Sequence, residues 1–179
     1  MKSSVILFAC SLPLAIAAQQ VQKKVSFYAQ GGYRSSNYIK EAAKEHLASA
    51  TETHHHKCII LNAGFQYRFA AKWRAGLAFT YDHFGTKHRS VELSNISYLI
   101  RCDRIWRDER RYLLYSGVML GITKIRRFED ENETERKTEP GYHLCLIGAE
   151  YKIAEWLSID LNAGWGAAGL LSAGARFKF

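Results

Sequence analysis

Leu157-Ser158-Ile159-Asp160-Leu161-Asn162-Ala163-Gly164-Trp165 is the stretch on which the fold of this chain turns. Taken in steps of two, it separates into an apolar set (Leu157, Ile159, Leu161, Ala163, Trp165) and a polar or small set (Ser158, Asp160, Asn162, Gly164). Successive side chains of a strand point to opposite faces, so this period specifies a strand with one apolar face. Working outward, the same division recurs. Val25, Phe27, Ala29, Gly31 and Tyr33 alternate with Ser26, Tyr28, Gln30 and Gly32. The odd positions from Ile59 to Phe69, from Trp73 to Tyr81 and from Leu171 to Phe179 form three more apolar faces. Segments 90–106, 112–124 and 141–153 alternate less cleanly. In the first of these, Ile96, Tyr98, Ile100 and Cys102 are out of phase with Val91 and Leu93, which predicts a bulge near Ser94-Asn95. The total is eight strands in a hairpin rhythm, an all-β chain.

Composition excludes several classes. At 47% hydrophobic and 13% aromatic residues with only 2 Pro, the chain is neither disordered nor collagen-like. Beyond the N-terminus, no run approaches the roughly 18–20 apolar residues of a membrane helix. Met1-Lys2, the apolar Val5–Leu14 and the small residues Ala15-Ile16-Ala17-Ala18 read as a signal peptide, residues 1–18, followed by one barrel domain over 19–179. Export removes nucleic acid as the partner of the +8 formal charge. Cys58, Cys102 and Cys145 are too few and too widely spaced for a disulfide framework, and read as small apolar residues.

Alternation alone does not say which face is inside, since a lipocalin-type barrel turns its apolar face inward. Three features favour the opposite arrangement. Aromatics gather at the strand ends: Phe69, Trp73, Trp106, Tyr112, Tyr151, Trp156 and Phe179 at one rim, Tyr33, Tyr81, Phe84, Phe128, Tyr142 and Trp165 at the other. Two such girdles mark a membrane barrel. The connections alternate between tight turns (70–72, 107–111, 154–155) and long polar loops (34–57 and 125–140). The polar face mixes glycine with Arg68, Arg74, Asp82, Arg101, Asp103, Glu150, Asp160 and Arg176. Eight strands enclose a space that side chains fill, so these charges are expected to pair as a lumenal network. The fold class is an eight-stranded antiparallel up-and-down transmembrane β-barrel.

Gly174-Ala175-Arg176-Phe177-Lys178-Phe179 resembles the C-terminal assembly signal of bacterial outer-membrane β-barrel proteins, with Phe177 and Phe179 as its aromatic positions. The whole mature chain resembles the small OmpA/OmpX-type barrels. Tyr115–Gly121 and Gly164–Gly174 are similar to segments of small barrels from Bacteroidetes-type bacteria. The resemblance implies residence in the bacterial outer membrane as a monomer, periplasmic termini and short turns, and outward-facing loops. It also implies recognition of the C-terminal strand by the barrel-assembly machinery. No peptidoglycan-binding domain is expected beyond Phe179. Within the first loop, Ile39, Ala42, Ala43 and Leu47 have near-helical spacing, which predicts a surface helix; Arg126–Pro140 reads as a solvated, mobile loop.

Candidate chemistry is sparse. His54-His55-His56 invites a metal, but adjacent loop imidazoles do not converge on one ion, so no metal and no cofactor is expected. His88-Arg89-Ser90, with Glu92, has the His–Ser spacing and nearby carboxylate of outer-membrane lipid A deacylases without their fuller motif. The simpler reading is a short loop, Thr86–Arg89, turning a hairpin. Arg34, Lys57, Lys87, Arg89, Lys124, Arg126 and Arg127 collect toward the outer rim, where lipopolysaccharide phosphates lie. The expected function is a non-enzymatic structural and surface-interaction role, contacting outer-membrane lipid, lipopolysaccharide or external ligands. The alternatives are a small low-conductance pore and a lipid A-modifying hydrolase.

Overall fold

The structure is a computed structural model that describes residues 24–36, 38–39, 58–86, 91–129 and 132–179. The expected signal peptide, the greater part of the first loop with Lys57 and the histidine run, and Lys87–Ser90 lie outside these residues. Eight strands follow one another: β1 Val25–Tyr33, β2 Cys58–Ala70, β3 Trp73–Thr86, β4 Val91–Asp108, β5 Tyr112–Glu129, β6 Asn132–Lys152, β7 Leu157–Gly166 and β8 Leu171–Lys178. Each pairs antiparallel with the next, and β1 pairs with β8 through Phe27↔Phe177 and Ala29↔Ala175, which closes the barrel. Closure leaves no sheet edge within the lipid layer.

The apolar faces point outward. Ile100, the most exposed of the mid-strand residues at 66%, shares the outer wall with Leu61, Leu77, Leu120, Leu144 and Leu161. The inner face holds Gln66, Arg74, Arg101, Asp103, Glu150, Asp160 and Arg176, all buried. A water-soluble protein does not bury its arginines while exposing its leucines; a lipid-embedded one does. Two inner glycines make room for rings. A Cβ on Gly64 would collide with the Tyr28 ring, and one on Gly148 with that of Tyr115.

Several expectations are corrected. No bulge occurs at Ser94-Asn95, where β4 stays in register with both neighbours (Asp82↔Asn95, Asn95↔Ile125). Leu93 simply falls on the inner face, near the strand end. Register shifts lie elsewhere, among them one between Ile105 and Arg107 on β4 and one between Cys145 and Ile147 on β6. The second turns both Leu146 and Ile147 outward, which explains the blurred period of that segment. Residues 125–129 and 132–140 are strand, not loop. β5 and β6 remain paired there (Ile125↔Lys137, Arg126↔Arg136), forming a hairpin that rises above the barrel wall. Phe84 does not belong to the outer girdle; it is buried inside, edge-on to Tyr38. Thr86 closes β3 as its last strand residue rather than opening the loop. Of the expected first-loop helix, the described part is its start at Ser36, Tyr38 and Ile39, where Ile39 donates to the Ser35 carbonyl (3.1 Å) and Tyr38 N–H to Ser35 Oγ (3.1 Å).

Candidate functional site

The barrel interior carries the densest chemistry in the molecule. Starting on β4, Arg101 and Asp103 are two residues apart and therefore both face inward; Arg101 Nε donates to Asp103 Oδ1 at 2.9 Å. Arg74, on β3, donates through Nε to Asp103 Oδ2 (2.8 Å) and through Nη1 to Glu150 Oε2 of β6 (3.1 Å). Arg176 of β8 lies 3.4 Å from the same Glu150 oxygen and 3.0 Å from Asp160 Oδ2 of β7. The ion pairs thus run from β4 through β3, β6 and β8 to β7, across the lumen.

Neutral side chains complete it. Gln66 donates to Asp103 (2.8 Å) and accepts from Arg176 Nη1. Tyr115 Oη lies 2.6 Å from Asp160 Oδ1 and receives Arg101 Nη2 at 3.3 Å. Guanidiniums pack against rings: Arg74 on Tyr115 at 4.1 Å, and both Arg101 and Arg176 on Tyr28 at 4.9 Å. Lys178 reaches Glu150 from the short-turn end. Charges this deep are tolerated only when paired and hydrogen-bonded. Arg101 and Arg176 are 0% exposed, so the cluster is a plug.

Of the eight residues assigned to this network from sequence, Arg74, Arg101, Asp103, Glu150, Asp160 and Arg176 come together. Arg68 and Asp82 do not. Arg68 sits at the short-turn end, 2.7 Å from Asp108, which also takes Lys152. Asp82 lies toward the long-loop end and accepts from Ser35, from Asn95 Nδ2 (3.3 Å) and from the Cys58 thiol (3.7 Å). Tyr28, Gln66 and Tyr115 were not assigned to the site. For Tyr28 the signal was present, since it alternates in phase with Ser26 and Gln30.

Tyr28 Oη, Asn62 Oδ1, Thr80 Oγ1, Asn95 Oδ1 and His143 Nδ1 are buried without a protein partner among the described residues. Arg74 Nη2, Arg101 Nη1, Ser158 Oγ and Asn162 Nδ2, in and beside the plug, are buried in the same way, so such groups line the lumen along its length.

The remaining candidates stand apart. Glu92 is exposed on β4 opposite Gly85 and Phe128, while its proposed partners His88 and Ser90 lie outside the described residues, as do Lys87, Arg89 and His54–His56. Among the described residues, no group of His, Cys, Asp and Glu could hold a metal ion. Of the basic rim, Lys124 and Arg126 are exposed on the outer wall of β5, whereas Arg127 turns to the opposite face. Lys124 Nζ lies 5.6 Å from the centre of the Tyr98 ring.

Three solved structures share this architecture. The N-terminal β-barrel domain of Pseudomonas aeruginosa OprF aligns over 89% of this chain and 100% of its own, with a TM-score of 0.55 at 13% identity. This chain has the fold of the small outer-membrane β-barrels. Neisserial surface protein A superposes equally well, at a TM-score of 0.55 and 16% identity over 87% of this chain and 94% of that one. The Yersinia pestis outer membrane protein Ail, solved in a phospholipid bilayer nanodisc, covers 87% of this chain and 99% of its own, with a TM-score of 0.50 and 13% identity. No protein-family profile and no curated protein matches the sequence.

Proposed function

We propose that this protein is an integral barrel of the bacterial outer membrane with a non-enzymatic, structural and surface-interaction role. The observation that carries this reading is the plug: the centre of the barrel is filled by ion pairs, leaving the outer wall and the projecting β5–β6 hairpin as the surfaces available for work. β4, β5 and β6 contain 18, 18 and 21 residues, against the roughly 9–11 that a strand needs to cross the hydrocarbon layer. Their surplus length stands in the aqueous phase. Just above the apolar belt, the outer wall changes from Tyr98 and Ile122 to Lys124, then to Arg126 opposite Arg136. Cations at this height suit the phosphates of lipopolysaccharide. The terminal strand, with Phe177 stacked on Trp156 and Phe179 bonded to Val25, is the segment offered to the assembly machinery.

The small-pore alternative draws on the polar groups that line the lumen without a protein partner among the described residues, but the ion-paired plug stands between the two ends. Planar-bilayer recording separates the two readings. The purified protein is expected to insert without steady conductance above the bilayer baseline. A reproducible open level in the unmodified protein would replace the structural reading with that of a channel.

A further inference from the structure

The short-turn end carries a second cationic surface, distinct from the plug and from the basic rim at the opposite end. Arg104 of β4 faces outward, paired in register with Trp73, and its guanidinium lies 5.9 Å from the Trp73 ring. Two residues on, the β4 bulge interrupts alternation so that Trp106 and Arg107 both stay on the outer side. Without that bulge, Arg107 would turn into the barrel. Arg107 lies 5.5 Å from the Tyr112 ring. Lys72, Arg110 and Arg111 are exposed in the adjoining turns. The acids here are largely taken: Asp108 by Arg68 and Lys152, Glu109 by Arg107 at 3.0 Å.

We propose that Arg104 and Arg107, set in the aromatic girdle by Trp73, Trp106 and Tyr112, form a docking surface for the headgroup of an anionic phospholipid. Trp and Tyr rings settle at the headgroup level of a bilayer, which puts both guanidiniums at the height of lipid phosphates. A ring attracts the face of a guanidinium and leaves its edge donors for a two-oxygen acceptor such as a phosphodiester; on Arg107 these are the Nη donors, since Nε already serves Glu109. The surplus of cations favours a net-negative headgroup over a zwitterionic one. A soluble anionic polymer suits the site less, because the two arginines share the wall that carries Leu77 and Ile100 and face the lipid.

The inference rests on the apolar wall being embedded in lipid, and its test keeps the two apart. The protein is reconstituted into phosphatidylethanolamine bilayers with a minor share of phosphatidylglycerol. One lipid at a time carries a nitroxide near the top of its acyl chain, and broadening of the tryptophan indole signals is read. Labelled phosphatidylglycerol is expected to broaden Trp73 and Trp106 more than labelled phosphatidylethanolamine does. The R104Q/R107Q variant is expected to lose that preference by roughly fivefold per arginine, while K124Q/R126Q at the other rim retains it. Equal broadening by the two lipids, or a preference that survives R104Q/R107Q in an inserted barrel, overturns the inference alone. A chain that does not insert overturns the membrane reading and the inference with it.

Discussion

Replacing Arg176 by methionine is expected to lower the unfolding free energy in lipid vesicles by about 3–5 kcal/mol, the usual cost of removing one partner from a buried ion pair. Arg176 is the densest node of the plug. It serves Asp160, Glu150, Gln66 and Ser26 from a fully buried position. Methionine fills much of the volume but leaves the Asp160 carboxylate with Tyr115 Oη as its remaining charge-stabilising donor. A second change, Asp160→Asn in the Arg176→Met background, removes the stranded charge and is expected to return part of the loss. Urea titration in vesicles reads both. An Arg176→Met barrel as stable as the parent would show that the plug does not contribute as described.

The outer wall answers to a different rule. Leu161 stands in the middle of β7, exposed on the side away from Asp160 and Asn162. Leu161→Arg is expected to destabilise by about 2–4 kcal/mol, the penalty for a cation at the bilayer midplane. Leu161→Ala, which removes bulk without charge, is expected to cost less. The same urea titration measures this, and a harmless Leu161→Arg would place that wall in water. Adjacent residues on one strand are thus governed by opposite surroundings, Asp160 by a buried, ion-paired interior and Leu161 by hydrocarbon.

How far this was legible in the sequence depended on where lipid imposes a pattern. In β2, β3 and β7 one wall meets lipid and the other meets the lumen, so a period of two is written into the residues. Above the belt that constraint lapses. The charges of segment 125–140 leave no apolar face, and they read as a loop although residues 125–129 and 132–137 stay paired as strands. The β6 bulge defeated periodicity differently, by placing Leu146 and Ile147 on the same side. Phe84 was assigned by height and misplaced by parity, since it shares the phase of Thr80 and Asp82. Membership of the lumenal charges followed from parity, but partnership did not. Arg68 and Asp82 have the right phase at the wrong height, and height across the barrel is set by stagger between strands. Tyr115 was obscured because register shifts fall beside it on both neighbouring strands, next to Ile105 on β4 and Gly148 on β6.

Contacts between lipid acyl-chain protons and methyl-labelled Ile and Leu side chains, measured by nuclear Overhauser spectroscopy on the unmodified protein in nanodiscs, test the central arrangement most directly. Acyl-chain contacts are expected for Ile100, Leu120, Leu144 and Leu161, and none for the buried Ile60, Leu99, Ile105 and Leu113. Acyl-chain contacts confined to the second set, or water contacts in place of lipid at the first, would contradict a barrel that turns its apolar face to the membrane and seals its charges inside.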